Sequence, residues 1–200
     1  MRRIVVFNRV SADGYFAAAD GNLDWTVPEP EIDRAAGESA SSVDTILFGR
    51  KTYEMFARFW PNVSVEAPTA PDPHAGGRQS ADVRNIASVL NRMTKLVFTN
   101  TLKTVTWENS QIAGVFDPAG VEAMKKTEGK DMIVFGSGTI VSELTKHGLV
   151  DEYQFVVSPL LLGNGRPMIA GLDDRAKLTL LEAKRYPSGN VMLRYSRALS

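Results

Sequence analysis

The stretch "LFGRKTYE", Leu47 to Glu54, sets a glycine and two adjacent cations between an apolar run and an amphipathic one. A strand ends at Phe48, and Gly49 permits close backbone approach. From Lys51 to Phe59 the spacing predicts a helix with Tyr53, Phe56 and Phe59 packing inward. The free N–H groups of its first turn and the positive end of its dipole make a seat for an anion. Thr52 adds a hydroxyl there, and Arg50 and Lys51 add charge. The same residues also suit a solvated basic corner, and this stretch by itself leaves both readings open.

A second stretch of the same kind is "IVFGSGTIVSEL", Ile133 to Leu144. A buried strand runs into Gly136-Ser137-Gly138 and then straight into a helix, where Ser137 and Thr139 can donate hydroxyl hydrogen bonds. It lacks the spacing of a Rossmann fingerprint and the ending of a P-loop. Two strand-glycine-helix turns in one small domain say more than either alone. In an open α/β sheet both lie at the carboxyl ends of strands, where ligands gather.

Around these turns, apolar runs at Arg3 to Val10, Thr45 to Phe48, Lys95 to Thr99, Met132 to Phe135 and Tyr153 to Val157 read as buried strands. Helical spacing alternates with them, in Ser80 to Met93, in "DPAGVEAMKK" with Asp117 as cap and Pro118 first, and in the helix stopped by Gly148. That alternation predicts a mostly parallel sheet covered on both faces. "KLTLLEAKRY", "PSGN" and "VMLRYSRA" then form an antiparallel hairpin at the C-terminal end, which makes the sheet mixed. Pro61 to Gly77, rich in Pro, Ala and Gly, reads as a long mobile surface loop inside one domain spanning residues 1–200.

Composition narrows the function. The 23 basic and 23 acidic side chains of the 200 residues cancel, which argues against a long nucleic-acid interface. There is no cysteine, and His74 and His147 are the only histidines, so neither a thiol nucleophile nor a metal site is expected. The opening "MRRIVVFNRV" is too short in apolar residues for a signal peptide, and no stretch suffices to span a bilayer. A cytoplasmic protein is expected.

Several segments together resemble a known family. "FGRKTYE" is similar to the Gly-Arg-x-Thr-aromatic-Glu segment of dihydrofolate reductases, and "FGSGTI" stands where their later Gly-Gly turn does. "SADGYF", Ser11 to Phe16, resembles the Ser-x-Asp-Gly of RibD C-terminal reductases. "GLVDEYQFVVSPLLLGNGRPM" and "YPSGNVMLRYSR" resemble their later strand, Gly-x-Gly segment and closing hairpin. The likeness runs from about residue 2 to 197 and marks a stand-alone bacterial member of the RibD C-terminal, dihydrofolate-reductase-like group.

The resemblance implies a three-layer α/β/α fold that binds NADPH across a mixed, mostly parallel sheet. By position, Gly49, Arg50, Lys51 and Thr52, then Gly136, Ser137, Gly138, Thr139 and Ile140, would hold the diphosphate and adenosine end. Thr99, Asn100 and Thr101 match the segment that reaches the adenosine phosphate, and Arg50 or Lys51 would meet the ribose 2′-phosphate.

On the substrate side, dihydrofolate reductases carry a carboxylate on the first helix after a Trp-x-x-Pro segment. Here "DWTVPEPEID" offers Trp25 and Pro28, but the acidic position falls on Pro30, and Glu29, Glu31 and Asp33 only flank it. In the RibD-like pattern the acidic candidate is Asp13, as substrate ligand or proton-transfer group, although an Asp-Gly pair also makes an ordinary turn. Trp25 suits stacking on a flat substrate or a place in the core. His147 sits at a helix end, and Asp151 and Glu152, adjacent on a strand, point to opposite faces.

The expected activity is NADPH-dependent reduction of a small heterocyclic or carbonyl substrate, similar to the 5-amino-6-(5-phosphoribosylamino)uracil reductase of riboflavin biosynthesis. The alternatives are dihydrofolate reduction, weakened by the missing carboxylate, and a non-catalytic NADPH-binding module. The apolar "FVVSPLLLG" suits a homodimer surface or an interior strand.

Overall fold

A computed structural model describes residues 1–63 and 81–198. The loop expected at Pro61 to Gly77 lies outside the described residues from position 64 on, and so does His74. Strands β1 (Ile4–Ser11), β3 (Val43–Gly49), β4 (Thr94–Phe98), β6 (Asp131–Phe135) and β7 (Glu152–Ser158) stand where the apolar runs put them. So do helices α2 (Arg50–Phe59), α3 (Ala81–Arg92), α4 (Pro118–Lys125) and α5 (Gly138–Lys146), and the hairpin of β9 (Leu178–Arg185) and β10 (Val191–Arg197). Asp117 caps α4 as expected, accepting from the N–H groups of Ala119 and Gly120 at 3.2 and 3.0 Å.

Four elements had no counterpart in the sequence reading. Helix α1 (Pro30–Ser39) carries a single buried apolar side chain, Ile32, among residues 30–36. Strand β5 (Ser110–Gly114) is an exposed edge strand without apolar alternation. Strands β2 (Tyr15–Ala17) and β8 (Arg166–Pro167) pair only with each other, in a short antiparallel ribbon.

The main sheet has eight strands in the order β5-β4-β3-β6-β1-β7-β10-β9. From β5 to β7 every pairing is parallel; β10 runs antiparallel between β7 and β9. Such strands need helices on both faces, and β3 displays the result. Its Ile46 and Phe48 pack with Tyr53 and Phe56 of α2 and Leu90 of α3, while Leu47 between them packs with Val121 of α4 and Leu144 of α5. Ile32 of α1 packs with Val156, Tyr186 and Met192. The "FVVS" residues of β7 are therefore interior, between β1 and β10, whereas Pro159, Leu161 and Gly163 beyond them are exposed.

Register decides where a ligand can enter. Pairing between β1 and β6 stops at Phe7 opposite Phe135, whereas β1 stays paired with β7 as far as Ser11 opposite Ser158. Past Phe7 the sheet is split, and a crevice opens between β1 and β6 at their carboxyl ends. Among the described residues, no helix is long and apolar enough to cross a membrane.

One buried cation sits far from this crevice. Lys95 of β4 is inaccessible to solvent, donates to the carbonyls of Asn91 and Glu108 at 2.8 and 2.9 Å, and lies 4.4 Å above the Trp107 ring. Burial pushes its ammonium down to about 8 from the ordinary 10.5, against the opposing charge of Glu108. Between those two values the unfolded chain holds a proton that the folded chain lacks, so stability rises with pH across that window. Thermal melts at pH 8 and pH 10 should show wild type gaining stability relative to Lys95→Met, and parallel shifts in the two proteins would refute this.

Candidate active site

The two glycine turns meet. The Gly49 N–H donates to Ser137 Oγ at 2.9 Å, and the Ser137 N–H donates to Thr52 Oγ1 at 3.0 Å. The Gly136 N–H donates to Asn8 Oδ1 at 2.6 Å, which ties in the end of β1. This stitching requires two successive left-handed residues, Gly136 at φ 59° and Ser137 at φ 58°. Glycine adopts that conformation freely; for Ser137 it is strained, and it persists because both its N–H and its hydroxyl are engaged. Next to it, a Cβ on Gly138 would lie 2.8 Å from the Phe16 ring, so only glycine lets β2 close over the start of α5.

Neither α2 nor α5 has a side-chain cap, and the starts of both open on one cleft of about 990 Å³. Gly49, Arg50, Lys51, Thr52, Gly136, Ser137, Gly138, Thr139 and Ile140 all line it. Thr99 and Asn100 do not: Thr99 Oγ1 accepts from the N–H groups of Thr101 and Leu102 at 3.1 Å and closes a turn, while Phe98 before it reaches the cleft. Trp25 is also off the lining, half-buried, with its indole N–H donating to the Asn22 carbonyl at 3.2 Å.

Asp13 is occupied elsewhere. Its carboxylate accepts from Ser11 Oγ at 2.6 Å and from the N–H groups of Gly163 and Leu162 at 2.7 and 3.1 Å, fastening the loop after β7. The Ser11 hydroxyl chiefly, then the two N–H groups, hold the carboxyl below its ordinary value against partial desolvation. An acid so lowered is a poor proton donor near neutral pH. Asp151 and Glu152 likewise meet separate partners: Asp151 takes Lys125 at 2.6 Å, and Glu152 takes Arg3 and Arg194 at 2.6 and 2.9 Å.

Asp33, which the register of "DWTVPEPEID" passes over, does line the cleft. It accepts from Arg9 Nη2 at 2.7 Å, while Arg9 Nη1 donates to the Val27 carbonyl at 3.0 Å. The signal was Pro30: a proline at a helix start fixes its phase, which sets Asp33 and Ala36 on one face, three residues apart. Asn8, Arg9, Trp60 and Arg166 line the cleft as well; only Arg166 stands in a segment that carries the family likeness, just after its Gly-x-Gly. Among the described residues no group of His, Asp and Glu could hold a metal ion.

The RibD C-terminal domain model matches residues 2–192. The chain belongs to that family. The Bacillus subtilis protein YyaP, itself uncharacterized, is 26% identical over 97% of this chain and 94% of its own length. A Shewanella sp. PV-4 structure, described as a candidate riboflavin biosynthesis protein, superposes with a TM-score of 0.74 at 21% identity, covering 98% and 99% of the two chains. Dihydrofolate reductase from Enterococcus faecalis, solved with NADP(H), gives a TM-score of 0.61 at 12% identity over 98% and 96%. The RibD C-terminal family fold, like that of dihydrofolate reductase, is thus the one present here.

The stitch between the turns makes a stability prediction. Ser137→Ala leaves the Gly49 N–H without its acceptor while keeping the left-handed strain, and should cost about 1–3 kcal/mol. Ser137→Gly loses the same bond but relieves the backbone, and should be milder by about 1 kcal/mol. Denaturant unfolding of both variants decides the matter; an equal loss would mean that the strain is absent.

Proposed function

We propose that this protein is an NADPH-dependent reductase of a small heterocyclic or carbonyl substrate. The observation that carries the reading is the pair of uncapped helix starts, joined through Ser137 and opening on one cleft with Arg50 and Lys51 at its mouth. Free N–H groups, the positive ends of two helix dipoles and two cations suit a diphosphate, in a chain whose net charge is +0. The NADP(H) of the Enterococcus faecalis enzyme of the same fold supports the assignment.

When bound, the cofactor supplies a hydride. The chain's own residues orient and stabilise. The first turns of α2 and α5 hold the diphosphate, and Arg50 or Lys51 takes the ribose 2′-phosphate. Arg50 pairs with Glu54 at 3.3 Å, both partly exposed, so a phosphate has only a weak ion pair to displace. The floor where β1 and β6 part, Phe7 edge-on to Phe135 at 6.0 Å, keeps the reacting region apolar. Asp33, held by Arg9, is one of three carboxylates on the cleft lining, with Asp20 and Glu143, and the one we assign to relaying a proton from solvent in place of Asp13.

Arg50→Ala or Lys51→Ala should weaken NADPH about tenfold more than NADH in a fluorescence titration, as expected for one lost charge-assisted contact. Equal losses for the two nucleotides would remove the 2′-phosphate role, and no NADPH binding at all by wild type would end the reductase reading. Asp33→Asn should lower kcat by about 10²-fold or more and leave NADPH affinity unchanged. An unchanged kcat would return proton delivery to solvent or to another group.

A further inference from the structure

Beyond the paired turns the cleft continues between α1, α2 and α3. Ala36 of α1, Met55 and Phe56 of α2, Trp60 just after it, and Ile86 and Leu90 of α3 line this part. Its back is aromatic. Phe56 stacks on Phe135 with ring centres 6.0 Å apart and planes at 26°, and lies 6.0 Å from the Trp60 ring. Such a pouch takes a flat ring by area and stacking.

Its charge content is as telling. Among the described residues lining the cleft, Arg9, Arg50, Lys51 and Arg166 are cationic. Arg9 is committed to Asp33 and to the Val27 carbonyl. Arg50 and Lys51 open α2, whereas Trp60 follows its end, a separation of ~15 Å along the axis that neither side chain spans. Arg166 belongs to the β2–β8 ribbon, donates to the Asp20 carbonyl at 3.3 Å and lies against Gly21. A phosphate in the pouch would therefore meet Arg9 only as the partner of Asp33, a pair with no net charge to offer it. That arrangement opposes an anion.

The pouch wall does hold one unused polar group. Trp60 is 6% exposed, and its indole Nε1 is buried without a hydrogen-bond partner. A buried donor left unpaired is costly and usually has an explanation. Nε1 is closed off from solvent, so the indole ring must turn toward the pouch before a ligand oxygen can accept from it and remove the cost.

We infer that the pouch binds a neutral, flat, largely apolar substrate carrying a carbonyl-type acceptor for Trp60 Nε1, and not a phosphorylated sugar. The inference rests on the reading above, in which the other half of the cleft holds NADPH.

The test uses the full chain saturated with NADP⁺, which prevents turnover, and three probes followed by ligand-observed NMR: 1-tetralone, tetralin and uridine 5′-monophosphate. We expect 1-tetralone to bind about tenfold or more tighter than uridine 5′-monophosphate, and tighter than tetralin. Trp60→Phe should lower 1-tetralone affinity about five- to tenfold and leave tetralin within about twofold, the difference being one hydrogen bond. Tighter binding of the nucleotide, or equal losses for 1-tetralone and tetralin, overturns the proposal. If Trp60→Phe does not fold, the wild-type preference for 1-tetralone over tetralin still decides, and its absence refutes the role of the indole. Titrating 1-tetralone without cofactor separates the two readings: binding there with no NADP⁺ binding keeps the pouch and removes the reductase.

Discussion

The reciprocal hydrogen bonds between Ser137 and the start of α2 are the constraint on which the cleft depends. They hold the ends of β3 and β6 side by side, so that two helix starts face one space instead of two. The left-handed Ser137 is the local cost. Its return is that the Gly49 N–H and Thr52 hydroxyl fix the geometry, while the remaining first-turn N–H groups stay available. The hydroxyls of Thr52 and Ser137, expected from sequence to act as donors toward a ligand, accept protein bonds here. Each still carries its own proton, so structural and binding roles coexist on the same atoms.

The parts of the fold visible in sequence are those whose signal is local. Ile46, Leu47 and Phe48 form an unbroken apolar run because β3 is buried on both faces, and Asp117-Pro118 marks the start of α4 by its own chemistry. The parts that stayed hidden have no such signal. Exposed β5 is a strand because β4 lies beside it, and β2 and β8, more than a hundred residues apart, are strands only through each other. The residues of α1 bury little, and with α1 unseen, Asp33 had no face to belong to. The register of the Trp-x-x-Pro motif misses this carboxylate, whereas helix phase counted from Pro30 reaches it.

Asp13 illustrates the opposite limit. An Asp-Gly pair satisfies both a turn and a family pattern, and nothing within that segment says which matters. The deciding partners, Leu162 and Gly163, lie 149 and 150 residues away. A carboxylate bonded by two N–H groups and a hydroxyl is a fastening for the loop that leads into β8, and through β8 it supports the ribbon over Gly138. It shapes the cleft without lining it.

The cleft divides its charge by function. At one end lie cations and uncapped N–H groups; at the other, an apolar pouch whose one carboxylate is already matched by Arg9. Arg9 and Asp33 are 11% and 35% exposed at their side chains, and ion pairs so placed give little net stability. A well-packed apolar pair would serve the core as well. What the pair supplies is a carboxylate held in a fixed place with its charge balanced, beside a surface that otherwise repels water. That combination suits hydride chemistry, which needs a polar clamp for the cofactor and a dry, oriented meeting point for the acceptor. In the function proposed above, the split between β1 and β6 after Phe7 and Phe135 would set that meeting point between the two halves.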